Sequence, residues 1–213
     1  FLPKKLKSIT IYNPVLNEGY EKFLNNQVCH HWLISKKYKV IISCGRLHPI
    51  KGYDFLIKAF KLINKKIPES RLLILGHGPE YHKLALLIKE IGLDGLVELA
   101  GFVENPISYF SKSDVFVSSS KVEAFGNGIV EAMAAGLNVV ATDSGGPNEI
   151  LKQGLFGKLV PVGDSISLTE AIIDILLNNV VYPGIKERAA EFSVPNKAQE
   201  YINFAMSLKQ KDY

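Results

Sequence analysis

The sequence predicts an α/β chain built on a doubly wound parallel sheet of Rossmann-like architecture. Three observations predict it. From about residue 39 onward, short apolar runs alternate with longer amphipathic segments. The runs are bounded by glycine or polar residues and several are β-branched, as strands buried on both faces should be. The repeated strand–helix–strand order then demands right-handed crossovers, with helices covering both faces of the sheet.

Taken in order, the leading segment departs from this pattern. Residues 8–12 (SITIY) fit a short strand, whereas 13–35 are irregular and polar. Strands follow at 40–44, 72–75, 96–99, 115–118 and 139–142, with a sixth at 158–162. Between them, 53–66 places Phe55, Leu56, Ala59, Phe60 and Ile63 on one helical stripe, with Lys58, Lys61 and Lys65 elsewhere. Segment 79–91 does the same with Leu84, Leu87, Ile88 and Ile91. Segment 165–177 presents Leu168, Ile172, Ile175 and Leu176, and Ser165 is expected to cap it. Residues 182–213 are expected to form two helices broken near Pro195. The organisation expected is a leading segment or interdomain connection (1–37), a Rossmann-like domain (38–180) and C-terminal helices (181–213).

Composition narrows the function classes. In 213 residues, 47% are hydrophobic and 22% charged, the balance of a globular chain rather than a disordered one. The net charge of +4 is spread out. The cluster Lys4, Lys5, Lys7 and the pair Lys65, Lys66 are solvated faces on the simplest reading, with contact to anionic lipid as the alternative. No basic run is interleaved with aromatics, so nucleic acid is not an expected partner. Two cysteines, Cys29 and Cys44, support neither a disulfide framework nor a metal cluster, and Cys44 sits in an apolar run as a packing residue. No apolar stretch approaches the ~20 residues that cross a bilayer.

Ligands of doubly wound sheets bind outside the carboxyl ends of the strands, so the loops there are where chemistry is sought. After the first strand, Gly45-Arg46-Leu47-His48-Pro49-Ile50-Lys51-Gly52 leads straight into a helix. Guanidinium, ammonium and a helix N-terminus together suit a diphosphate. The same two cations can equally flank a turn as surface charges. Gly76-His77-Gly78-Pro79-Glu80 follows the second strand. Its glycines permit either a sharp turn or the close approach of a base or sugar. Tyr81 stands where a dinucleotide fingerprint needs its third glycine, which counts against an NAD-linked oxidoreductase. Gly101-Phe102-Val103, after the third strand, carries the same ambiguity.

The most informative segment is 123–133, EAFGNGIVEAM. It places Glu123 in a loop at a strand's carboxyl end and Glu131 early in the next helix, with free backbone N–H groups between them. Amides there can hold phosphate or sugar oxygens, and carboxylates accept bonds from hydroxyl pairs. A plain alternative makes Glu131 a helix-dipole partner and Glu123 an exposed loop acid. A glycosidase reading requires two carboxyls straddling one bond, which the sequence does not show. Asp143-Ser144-Gly145-Gly146-Pro147-Asn148-Glu149 forms another close-approach turn, with Asp143 and Glu149 as polar caps.

In this order, G-R-L-x3-K-G, G-x-G-P-E, E-A-F-G-x3-V-E-A and D-S-G-G-P-x-E-I resemble the C-terminal domain of retaining GT-B glycosyltransferases, group 1 or family 4. The resemblance covers roughly residues 38–178. It implies one half of a GT-B fold with extra C-terminal helices. It implies that Arg46 and Lys51 hold the donor diphosphate, Glu131 the ribose hydroxyls, and Glu123, in the catalytic role, a hydroxyl of the transferred sugar. The amides of Phe125, Gly126, Asn127, Gly128 and Ile129 would meet sugar and phosphate, and the Gly101, Phe102, Val103 loop the base. It implies a UDP- or other nucleotide-diphosphate sugar as donor, with no metal and no further cofactor, and the sequence holds no D-x-D. Gly128 is smaller than usual for the family, and Asn138 stands where proline is common.

The acceptor implied is a glycan or lipid-linked saccharide. The expected location is the cytoplasm, with peripheral contact at the cytoplasmic membrane face. The start at Phe1 and the single sheet's worth of strands lead to the expectation that a partner domain of roughly 150 residues is missing. A nucleotide-sugar epimerase of like architecture and a non-catalytic nucleotide-sugar module are the competing readings, and the E-A-F-G motif argues against the epimerase.

Overall fold

The computed structural model describes residues 8–178 and 180–209, so the Lys4, Lys5, Lys7 cluster lies outside the described residues. A 3-10 turn (Tyr20–Asn25) and a short helix α1 (His31–Ile34) precede the sheet. Six strands then alternate with helices: β1 (Lys39–Cys44), α2 (Tyr53–Lys66), β2 (Ser70–Leu75), α3 (Tyr81–Glu90), β3 (Val97–Gly101), α4 (Pro106–Phe110), β4 (Val115–Ser118), α5 (Asn127–Ala134), β5 (Val139–Thr142), α6 (Gly146–Ile150), β6 (Lys158–Val160) and α7 (Ser165–Asn178). Helices α8 (Ile185–Ala190) and α9 (Val194–Lys209) close the described chain.

All pairings are parallel and the strand order is β3-β2-β1-β4-β5-β6. The chain therefore leaves β1 toward one edge and returns to β4 on its other side. That reversal opens a crevice above the carboxyl ends of β1 and β4, where no crossover closes the sheet.

Alternation along the strands explains the two cores. Ile41, Leu72, Ile74, Val115, Val117 and Val140 point to the face covered by α2, α3 and α7. Their neighbours Val40, Ile42, Leu73, Leu75, Phe116, Val139 and Ala141 point to the opposite face, with α5, Trp32, Phe110 and Phe192. A strand's period of two sends successive side chains to opposite sides, so both must be apolar here. Helix α2 forms where predicted. Gly52 opens it in the left-handed region (φ 64°), Asp54 lies in its first turn and Lys65 and Lys66 in its last, each complementing the helix dipole.

Several expectations are corrected. Residues 8–12 form no strand. Tyr12 instead stacks on Phe125 (5.8 Å), and the chain pairs briefly with the α8–α9 junction, Val15 N–H donating to Phe192 O (2.8 Å). Apolar alternation alone cannot make a strand without a free edge beside it. The cap of α7 is Asp164, not Ser165: Asp164 Oδ1 accepts from the Ile166 and Ser167 amides (3.1 and 3.0 Å). Gly101 ends β3 rather than opening the loop after it. Pro195 lies in the first turn of α9, and the break falls just before it. Helix α8 packs on α5, while Tyr201, Ile202 and Met206 of α9 remain exposed. Among the described residues no helix is long and apolar enough to cross a membrane.

Candidate functional site

The crevice at the β1–β4 reversal contains a cavity of about 400 Å³. Lys51, Glu123, Phe125, Gly126, Asn127, Gly128, Ile129 and Glu131, all singled out from sequence, line it. Lys51 arrives from the β1–α2 connection and the others from the loop after β4 and the start of α5. Lys51 ends the 3-10 turn Pro49–Lys51 that joins β1 to α2, and Ser119 Oγ donates to its carbonyl (2.9 Å). At the following residue a Cβ would meet Ser119 O at 2.3 Å, so only glycine lets this turn lie against the end of β4.

Glu123 is held from two sides. Its backbone N–H donates to Ser144 O (3.0 Å) and its carbonyl accepts from Gly146 N–H (2.8 Å). The Asp143–Glu149 loop thus serves as a backbone brace for the Glu123 loop, and this is the use of its glycines. The carboxylate Oε2 accepts from Lys51 Nζ (2.5 Å) and from Ser120 Oγ (2.9 Å). Lys51 and Glu123 were expected as separate contacts to a diphosphate and a sugar. The fold joins them as a partly buried ion pair.

Glu131 lies one turn into α5, which starts at the cavity wall. Gly126 precedes that helix at φ 114°, and the N–H groups of Asn127 and Gly128 in its first turn have no intrahelical acceptor. Burial pushes the Glu131 carboxyl up to about 7. Glu131 also borders two neighbouring cavities. One, about 440 Å³, is lined by Arg46, Phe102, Val103 and His77. The other, about 470 Å³, lies between α4 and the leading segment, against Tyr20 and Phe23.

Lys51 lines the first cavity and Arg46 the adjoining one, with Cys44, Gly45 and Glu131 common to both spaces. Gly101 lines neither. Its carbonyl accepts from Gly76 N–H (2.7 Å), which ties the β2 and β3 loops together. The glycines of G-H-G serve the same purpose: a Cβ at Gly76 would meet Gly45 O at 2.0 Å, and one at Gly78 would meet Leu47 O at 2.4 Å. Sequence offered a sharp turn or the approach of a base or sugar; what these glycines admit is the backbone of the neighbouring β1 loop.

The sequence missed Ser43, Ser119, Ser120, Tyr53 and Cys44 as cavity lining. The serine run 118–120 at the end of β4 was the available signal. Cys44 was read as core, yet it sits at the cavity wall. Burial first, then Glu131, pushes its thiol up to about 12. Burial likewise pushes the Tyr53 phenol well above its ordinary value.

Fold and crevice together define a Rossmann-like lobe whose polar site sits at a topological switch point. Residues 30–193 match the family described as glycosyl transferases group 1, and the chain belongs to that family. It is 29% identical over 182 residues to an N-acetyl-alpha-D-glucosaminyl L-malate synthase of Bacillus anthracis, covering 85% of this chain and 48% of that one. It is 34% identical over 166 residues to the lipopolysaccharide core biosynthesis glycosyltransferase LpsE of Rhizobium meliloti, covering 78% and 48%. The chain thus spans about half the length of these relatives. The crystal structure of Anabaena Alr3699/HepE in complex with UDP superposes with a TM-score of 0.73 at 27% identity, over 80% of this chain and 49% of that one. The GT-B resemblance and the α/β class expected from sequence both hold.

Proposed function

We propose that this chain is the donor-binding lobe of a retaining glycosyltransferase and holds a UDP- or GDP-sugar in the crevice between β1 and β4. The observation that carries the reading is the convergence of Lys51, Glu123, Glu131 and the first amides of α5 on one cavity. The UDP complex of the Anabaena relative supports a nucleotide ligand.

In this reading the diphosphate lies across the N-terminus of α5, between Lys51 and Arg46. The Gly126, Asn127 and Gly128 amides donate to its oxygens, while the Ile129 amide, expected among them, is taken by Gly126 O (2.9 Å). Glu131 accepts from the ribose hydroxyls, and the base lies over Phe102 and Val103 in the adjoining space. Glu123 meets a hydroxyl of the sugar, beside Phe125. Breaking the glycosidic bond leaves negative charge on the nucleotide diphosphate. Fixed cations and amides aimed at that charge lower the barrier without a metal or other cofactor. A second lobe supplies the acceptor, a glycan or lipid-linked saccharide, on the cytoplasmic side of a membrane.

Calorimetric titration with UDP tests the assignment. Lys51→Ala and Arg46→Ala are each expected to weaken binding roughly ten- to a hundredfold, the loss of one charge-assisted contact. Binding by the unaltered chain is expected to persist in EDTA. Unchanged affinity in both folded variants would overturn the diphosphate site, and binding that requires added magnesium or manganese would overturn metal independence.

A further inference from the structure

We propose that His30, His31 and Glu98 form a binding site for one transition-metal dication of the zinc class, separate from the donor crevice. His30 immediately precedes α1, His31 is its first residue, and Glu98 lies on β3 at the edge of the sheet. One ligand atom from each falls within 4.8 Å of the other two. His30 Nε2 and Glu98 Oε2 are 3.3 Å apart, and the two imidazoles stack at 5.0 Å. Ligands on a tetrahedral zinc, with bonds near 2.0–2.2 Å, stand about 3.4 Å apart. The His30–Glu98 pair already has that spacing, and rotation of the exposed His31 side chain closes the rest.

The His30 side chain is only 10% exposed, so its ring is held in place with Nε2 toward Glu98. Two imidazoles and one carboxylate favour zinc and its neighbours, whereas magnesium and calcium prefer all-oxygen shells. The fourth position is left to water.

Such an ion would join the segment before β1 to the edge strand and close a long loop of chain. Any ion bound only by the folded state stabilises it by mass action. Glu98 lies two strands across the sheet from β1, so this stabilisation does not involve Lys51 or Glu123.

The test is titration of the chain with zinc alone, by calorimetry and thermal unfolding. The unaltered chain is expected to take up one equivalent with a micromolar or tighter Kd. A hundredfold excess over Kd is expected to raise Tm by about 5–10 °C. His31→Ala and Glu98→Gln, each with unchanged far-UV circular dichroism, are expected to weaken zinc at least tenfold and to lose the Tm rise. His82→Ala, an exposed histidine on α3, is expected to behave like the parent. No saturable uptake by the parent, loss of affinity in only one of the two variants or in neither, or dependence on His82 would overturn the site.

Discussion

Glu131 is where burial and chemistry meet most closely. Desolvation raises its carboxyl to about 7, so the folded chain keeps a proton there that the unfolded chain releases near 4.5. Between those values the folded state binds more protons, and stability falls as pH rises. Thermal unfolding without nucleotide should therefore show a lower Tm at pH 8 than at pH 5.5 from this group. Glu131→Gln should flatten that fall and raise Tm at pH 8; an unchanged pH profile would contradict it. The two acids also separate by ligand. Glu131→Gln should weaken UDP and the matching UDP-sugar equally, by roughly tenfold, since the partner proposed is the ribose. Glu123→Gln should spare UDP, because Lys51 loses a competing carboxylate 2.5 Å away, and should weaken the sugar-bearing donor. Titrations showing the reverse order would exchange the two roles.

At the scale of elements, the site is assembled by loops resting on one another's backbones. A Cβ at Gly146 would meet Phe125 O at 2.2 Å and Phe125 Cα at 2.4 Å, both backbone atoms of the loop that carries Glu123. At Gly128 the nearest atom is the Phe116 ring edge at 3.2 Å, which can yield. Gly146→Ala should therefore cost about 1–3 kcal/mol in denaturant unfolding and weaken UDP binding, whereas Gly128→Ala should stay within about 1 kcal/mol. Equal losses would mean that the brace is not what matters. This division also explains what could be read in advance. The periodic elements, such as 53–66 and 115–118, were legible because each repeats one burial pattern over several residues. Lys51 and Glu123, and Glu131 one turn into α5, were legible because charged side chains punctuate or closely follow glycine-rich turns. The Lys51–Glu123 pair, the split of Arg46 from Lys51 and the brace from Ser144 and Gly146 were not. Each depends on how two distant loops meet, and no local period encodes that. Residues 8–12 failed for the same reason, since Tyr12 packs on Phe125 and Phe192, far along the chain.

At the scale of the molecule, two apolar cores lie on either face of one sheet, and the crevice opens at that sheet's carboxyl edge. In the proposed reading, the arrangement offers a donor cations, amides, hydroxyl acceptors and a space for the base. Transfer asks for more. The acceptor hydroxyl must be aligned near the anomeric carbon, and water must be kept from it, effects that come from a second surface facing the crevice. Among the described residues there is one sheet, and no second sheet faces the crevice. Helix α9 instead turns Tyr201, Ile202 and Met206 to solvent. This polypeptide is therefore expected to fold and bind UDP, yet to form no glycoside when incubated with UDP-sugars and glycan or lipid-linked acceptors. Product chromatography with radiolabelled donor checks this directly. Transfer well above background by the 213 residues alone would show that the acceptor is seated on this lobe, with the space between α4 and the leading segment as the first place to look for it.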